Sequence, residues 1–254
     1  MKNKLFAIIL LLLAHNLYSQ GSAGGGATFE TRDIVDMPTA GVLPKNDYAV
    51  DLLHYENGGI AFSMSYGLWR NFNIGGSISL GGLVGSQDVS MQSVPSIIIK
   101  YRFINETMNV PAFAVGVSTR GTGKYNNSSN RFEIASPGIF LSLSKSFLWD
   151  LGYLGLHAGV NYSFENVGDD FFVNTYVGLE QAIGRRFAIN LEYNAGAFEW
   201  EARHSRGHGF LHSSLRYSLG YGFTMQMQFR DLLDNLKNSK NITRYFAIEW
   251  IGKI

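Results

Sequence analysis

His204, His208 and His212 recur every four residues, a spacing that on a helix would stack three imidazoles on one face as metal ligands. Gly207 and Gly209 interrupt that run, which reads as a loop entering a strand, so no metal site is expected. His212-Ser213-Ser214 is the one local hint of a serine nucleophile. Such chemistry needs Ser and His side by side with a polar orienting group, whereas alternation along a strand sends His212 and Ser213 to opposite faces. Gly121-Thr122-Gly123-Lys124 lies in an Asn/Ser-rich stretch with no helix after it and lacks the phosphate-cradling context. No catalytic residue and no cofactor are therefore expected. What remains is a set of charges on the polar phase of alternating segments: Lys100, Arg102, Glu165, Glu180, Glu192, Arg216 and Glu249.

The elements that must position those charges are strands. Phe187, Ile189, Leu191 and Tyr193 alternate with Ala188, Asn190, Glu192 and Asn194. The same period of two runs through 154–165 and 221–230, where Phe223, Met225, Met227 and Phe229 alternate with Thr224, Gln226, Gln228 and Arg230. A period of two over about ten residues marks a strand with one apolar and one polar face, long enough to cross a bilayer when tilted. Twelve such segments fall near 47–55, 59–68, 71–82, 94–103, 111–120, 137–148, 153–165, 173–183, 186–195, 210–219, 221–230 and 243–251. Short and long connections largely alternate, as turns on one side of a membrane barrel and loops on the other do. Pro95, Pro111 and Pro137 stand at strand starts, where no ladder donor is lost. Aromatics such as Tyr66, Trp69, Tyr101, Phe103, Phe147, Trp149 and Trp250 gather at strand ends, in the manner of interfacial girdles. The fold expected is all-β, an antiparallel transmembrane β-barrel of about twelve strands within a range of ten to fourteen. A soluble sandwich would use strands of about five or six residues instead. One short amphipathic helix is expected over 231–238, before the last strand, from leucines at 232, 233 and 236 with acids opposite.

With the polar phase inside, the seven charges face the lumen, where charge is tolerated as it is not against lipid. Glu180 and Glu192 on neighbouring strands would form an acidic patch opposite basic residues. Two readings follow: a charged conduit or binding surface for a polar or anionic glycan, or an internal salt-bridge network that fills the barrel.

Composition agrees with a lipid-facing sheet. Of 254 residues, 16 % are charged, 14 % are aromatic and 29 are glycine, against roughly 25 % charged in soluble domains. A net charge of +1 gives no basic footprint for nucleic acid, and with no cysteine there is neither a disulfide nor a thiolate site. Lys2 and Lys4 followed by the apolar run Leu5–Ala14 read as a secretory signal peptide over 1–19, too short to span a bilayer. Residues 20–46 lack periodicity and form an irregular N-terminal lead-in, flexible where Gly21-Ser22-Ala23-Gly24-Gly25-Gly26 opens it. The barrel is expected over 47–254. Location is expected to be the bacterial outer membrane of a Gram-negative type envelope, with outer-membrane lipid as the surrounding partner.

Several stretches, in order, resemble the YjbH-like outer-membrane proteins linked to exopolysaccharide production. They are Met37-Pro38-Thr39-Ala40-Gly41-Val42-Leu43-Pro44, Ile99–Glu106, Pro111–Val117, Ser136–Phe140, Leu143–Lys145, Gly155–Ser163, and Phe229–Asn235 leading to Asn241–Arg244. Typical members are longer, and this chain resembles one barrel unit. The resemblance implies a non-enzymatic barrel assisting exopolysaccharide export or surface assembly, with polysaccharide and export-machinery proteins as partners. The alternatives are a small porin-like channel for polar solutes and, more distantly, a membrane-embedded lipid hydrolase.

Overall fold

The computed structural model describes residues 31–254 apart from 87, 166–171, 185, 202–204 and 238–241. The expected signal peptide and the glycine-rich stretch lie outside the described residues. Fifteen strands are present among the described residues: β1 (Asp47–Tyr55), β2 (Gly59–Trp69), β3 (Phe72–Gly81), β4 (Ser90–Met91), β5 (Ser96–Ile104), β6 (Ala112–Ser118), β7 (Thr122–Asn126), β8 (Arg131–Ile134), β9 (Gly138–Trp149), β10 (Gly152–Tyr162), β11 (Asn174–Ile183), β12 (Phe187–Asn194), β13 (Phe210–Gly220), β14 (Phe223–Arg230) and β15 (Thr243–Lys253). One helical turn, α1 (Ala197–Glu201), precedes β13. Twelve of the strands pair antiparallel in the order β1-β2-β3-β5-β6-β9-β10-β11-β12-β13-β14-β15. The ring closes where β1 pairs with β15, Val50 opposite Trp250 and Leu52 opposite Ile248. Each of the twelve expected segments corresponds to one wall strand. The remaining three are additions on the long-loop side: β4 continues along β3, and β7 and β8 form a separate hairpin.

The two faces of this sheet are inverted relative to a soluble sandwich. On β9, Ser142 and Ser144 are 1 % exposed while Leu141 and Leu143, which alternate with them, are 41 % and 44 % exposed. On β12, Ala188, Asn190, Glu192 and Asn194 point into the lumen, and Phe187, Ile189, Leu191 and Tyr193 point out. Polar residues inside and large apolar residues outside are what a bilayer selects. No helix among the described residues is long and apolar enough to cross a membrane.

The short turns after β2, β9, β11 and β13 lie on one rim, with both barrel ends of the chain beside them, while the three-residue link Glu56–Gly58 between β1 and β2 lies on the other. Aromatic rings gird that rim: Trp69 and Phe72 at 5.3 Å, Tyr101 and Phe103 at 4.6 Å, and Phe223 stacked on Trp250 at 5.7 Å. Register shifts at Gly67/Trp69, Arg102/Ile104 and Ser218/Gly220 fall on the same rim, where bulges sharpen the twist.

The amphipathic helix expected over 231–238 is not formed; residues 231–237 are turns and irregular chain. Asp231 and Asp234 take φ of 53° and 52°, and the Asp231 carboxylate accepts the backbone N–H groups of Asn235 and Leu236. An aspartate closing a local turn in this way competes directly with the helix. Leu236 then packs with Ile134 and Phe210, so the leucine spacing serves a cap over the barrel mouth.

The outward face gives a direct expectation. Leu191→Arg, on the lipid side of β12, is expected to destabilise the barrel by about 2–4 kcal/mol if it lies near the bilayer midplane. Reversible denaturant unfolding in lipid vesicles measures this, and a cost near zero would contradict the assignment of that face.

Candidate functional site

Residues 31–44 occupy the lumen as a hairpin. Ile34 N donates to Met37 O at 2.9 Å, Thr39 N donates to Arg32 O at 3.0 Å, and Asp33 pairs with Pro38 across the fold. Ile34 and Ala40 are completely buried, and Met37, Val42 and Leu43 nearly so. The hairpin begins with Thr31 among side chains from the short-turn halves of β11 and β13, and its tip reaches the long-loop end. It then returns to the short-turn rim, where Leu43 N donates to Asn73 Oδ1 at 2.7 Å. Two glycines make room for it. A Cβ on Gly178 would sit 2.4 Å from Ile34 Cδ1, and one on Gly67 would sit 2.0 Å from Pro44 O.

A segment with so few backbone bonds of its own must find partners for its N–H and C=O groups elsewhere. The wall supplies them. Val35 N, Asp36 N and Met37 N all donate to Glu192 Oε2 at 2.9 Å, so one carboxylate oxygen holds the whole tip. Lys100 Nζ donates to Arg32 O at 2.7 Å and Gly41 O at 3.2 Å. Arg216 donates to Thr31 Oγ1 and Asp33 O, each at 3.0 Å. Thr31 Oγ1 in turn donates to Glu180, which also accepts from Tyr153. Tyr176 donates to Pro38 O at 2.8 Å, and Ser144 Oγ accepts Ala40 N at 3.0 Å.

Ion pairs reinforce this. Arg32 bridges Asp51 at 3.1 Å and Glu249 at 3.3 Å. At the tip, Asp33 meets Arg120 at 2.5 Å, and Asp36 accepts from both Arg230 and Thr122. Arg230 is held by Gln228 and lies 4.4 Å from the Tyr245 ring.

Five of the seven expected charges thus meet one feature. Lys100, Glu180, Glu192, Arg216 and Glu249 grip the hairpin. Arg102 bonds instead to Asn105 at 3.0 Å and Asn71 at 3.4 Å on the short-turn rim. Glu165 is a correction. β10 ends at Tyr162 and the chain turns, so Glu165 lies on the long-loop side, accepting Phe132 N at 2.8 Å and Ser136 N at 3.1 Å. Glu180 and Glu192 lie diagonally across β11 and β12 on the inward face, with Asn190 opposite Glu180 and Gly178 opposite Glu192. Sequence reasoning missed the partners Asp51, Arg120 and Arg230, and the residues of the hairpin itself.

Asp36, Glu192 and His212 bring potential ligand atoms within 4.8 Å of one another, in the arrangement of a cation site. The imidazole argues against one. His212 Nδ1 accepts Asp231 N at 3.1 Å, so the neutral ring carries its proton on Nε2, which faces Asp36 Oδ2 at 3.7 Å. Metal binding through Nε2 would need that proton on the nitrogen already accepting a bond. His204 lies outside the described residues, and His208 is exposed on a loop, so the four-residue spacing brings no imidazoles together. A buried Ser–His contact does exist, Ser144 Oγ to His157 Nδ1 at 2.8 Å. It lies under the hairpin, and among the described residues His157 Nε2 has no hydrogen-bond partner to orient the ring as a base. Two cavities beside the hairpin hold about 80 and 30 Å³, room for a few waters each.

The long-loop end is covered by folded chain. Glu199 of α1 takes both carboxylate oxygens to Arg131 at 2.7 and 2.6 Å and accepts Ala135 N at 2.8 Å. Burial pushes the Glu165 carboxyl above its ordinary value, more than its bonds to Ser136 and Phe132 pull it down, and burial likewise raises Glu56. An acid whose folded value is raised holds its proton more tightly when folded. Its contribution is present in full below the unfolded value and is lost as pH rises through the folded one. The β7–β8 hairpin is therefore expected to pack more tightly near pH 5 than at pH 7. Hydrogen exchange of residues 122–137 measures this, and exchange that quickens on acidification, after correction for intrinsic rates, would contradict it.

No protein-family model matches the chain, and no curated protein does. Among solved structures, a protein from a study of in-meso crystallization of membrane proteins is 9% identical with a TM-score of 0.45, covering 82% of this chain and 83% of that one. The NanC porin is 9% identical with a TM-score of 0.42, covering 82% and 99%. The outer membrane channel DcaP of Acinetobacter baumannii is 9% identical with a TM-score of 0.31, covering 81% and 95%. At these scores the likenesses carry no argument for this chain, whose closed twelve-stranded ring rests on its own register.

Proposed function

We propose that this protein is a non-enzymatic component of the bacterial outer membrane that assists exopolysaccharide export or surface assembly, acting in its resting state as a closed barrel. The observation that carries the reading is the lumen filled by the chain's own residues 31–44, which an open solute pore would not have. The inverted sheet, apolar outside and polar inside, supports the outer membrane as its place, reached through the N-terminal leader. The short-turn rim then faces the periplasm and the capped long-loop end faces outward.

Support for the polysaccharide link comes from where the YjbH-like stretches fall. Met37–Pro44 is the returning limb of the hairpin, Ile99–Glu106 contains Lys100 beneath it, and Phe229–Asn235 contains Arg230 and the Asp231 turn above its tip. The occluded Ser144–His157 pair supports a role without catalysis. Deleting the gene tests the reading. Loss of surface glycan with unchanged uptake of small solutes is expected, and unchanged glycan with reduced uptake would favour the porin-like alternative. That alternative draws on one feature, a wall of buried serines suited to water once nothing covers it.

A further inference from the structure

The hairpin is built to leave. Leu43 on the returning limb lies at the short-turn rim and Thr31 on the other limb lies beside Glu180 and Arg216 in the short-turn halves of β11 and β13, so the described residues of both limbs lead to the same side, the direction of withdrawal toward the periplasm. Its grip is mostly polar, through hydrogen bonds and ion pairs that water can replace. Among the described residues it joins two small buried apolar clusters, Ala40 with Ala112 and Ala114, and Ile34 with Met37 and Tyr176, and Val35, Val42 and Leu43 are buried besides. Closure of the ring is independent of it, because β1 and β15 pair through eight residues of register.

The wall it would expose is wet in character. Eight strands give an interior that side chains can fill, and twelve give a wider one. Here many inward positions carry only serine, including Ser63, Ser65, Ser77, Ser142, Ser144 and Ser214. Small polar residues around a wide ring leave space that hydrates rather than collapses. We infer that the barrel contains a latent water-filled pore for hydrated ions and small polar solutes, shut by the hairpin of residues 31–44 and opened by its withdrawal toward the periplasm. The hairpin's charged partners are of both signs, Lys100, Arg120, Arg216 and Arg230 against Asp51, Glu180, Glu192 and Glu249, so the open pore discriminates weakly between cations and anions.

This activity does not depend on the polysaccharide reading. The chain has no cysteine, so a single introduced pair can lock the gate. Ala40→Cys with Ala114→Cys joins the hairpin to β6 inside one buried cluster. Asp33→Asn and Asp36→Asn in the same chain loosen the tip while keeping an acceptor oxygen at each position. In planar bilayers with KCl, the reduced loosened protein is expected to give stepwise conductance, the oxidised protein to be silent, and reductant to restore the current. Silence of the reduced protein, with folding confirmed by its unheated gel mobility, overturns the inference, as does current that survives complete oxidation. A variant lacking residues 20–43 is expected to conduct continuously if it folds; if it does not, the cysteine pair decides. Conductance without any glycan phenotype would sink the proposed function and leave the gate standing.

Discussion

Glu192→Ala is expected to free the N-terminal hairpin from the lumen while leaving the barrel closed. The Glu192 carboxylate accepts three successive backbone N–H groups at 2.9 Å, and the residue is wholly buried. Alanine cannot replace that acceptor, and each stranded donor costs about 1–3 kcal/mol when water is kept out. The hairpin cannot keep its position against a combined loss on the order of 4 kcal/mol, so its tip moves to where water reaches the three amides. Trypsin cleavage at Arg32 reports this release, because the Arg32 side chain is only 13 % exposed and paired with Asp51 and Glu249 while the hairpin is seated. Glu192→Gln keeps an acceptor oxygen and is expected to retain the hairpin. If Glu192→Ala stays as resistant to trypsin as the parent, the three-donor clasp does not hold the tip.

The second large effect is at the Asp36–Arg230 pair. Arg230 is 1 % exposed, and Asp36→Val would leave its charge buried without a counter-charge. Breaking a buried pair from one side costs about 3–5 kcal/mol, whereas replacing both partners with apolar residues of similar volume is close to neutral. Arg230→Met combined with Asp36→Val is accordingly expected to recover most of what Asp36→Val loses. Unfolding free energies of the parent, both single variants and the double variant give the coupling directly. Additive losses would mean that the two charges do not act as a pair. Gln228, which accepts from Arg230 Nε at 3.0 Å, sets how much of the guanidinium cost remains in Asp36→Val.

The wall of the barrel was legible in the sequence because one physical rule writes it. Lipid demands an apolar residue at every second position, so Phe187, Ile189, Leu191 and Tyr193 announce β12 whatever lies inside. The prolines at 95, 111 and 137 stand immediately before β5, β6 and β9, where a missing N–H breaks no ladder bond. The hairpin obeys no such rule. Its backbone bonds go to side chains scattered from Asn73 to Arg216, and partners so distant in sequence leave no local period. Its signals were indirect: carboxylates on inward positions with no matching base on the next strand, and serines too small to fill a wide ring. Glu180 faces Asn190 across β11–β12, and its counter-charge Arg216 lies two strands from it. The 231–238 segment shows the opposite failure. Leucine spacing there fitted a helix, but Asp231 offers its carboxylate to two backbone donors and the chain turns instead. The β7–β8 hairpin was hidden in a loop because short strands outside the bilayer need no outward apolar face.

The most direct test of the account is hydrogen exchange of the purified protein in detergent micelles, followed over residues 31–43. The amides of Val35, Asp36 and Met37 bond to a buried carboxylate, and those of Ile34 and Thr39 bond within the hairpin. The account predicts that these five amides exchange orders of magnitude more slowly than unstructured chain and that Glu192→Ala abolishes the protection. Exchange of residues 31–43 at the rate of free chain, with the strands still protected, would contradict a lumen closed by its own N-terminal hairpin.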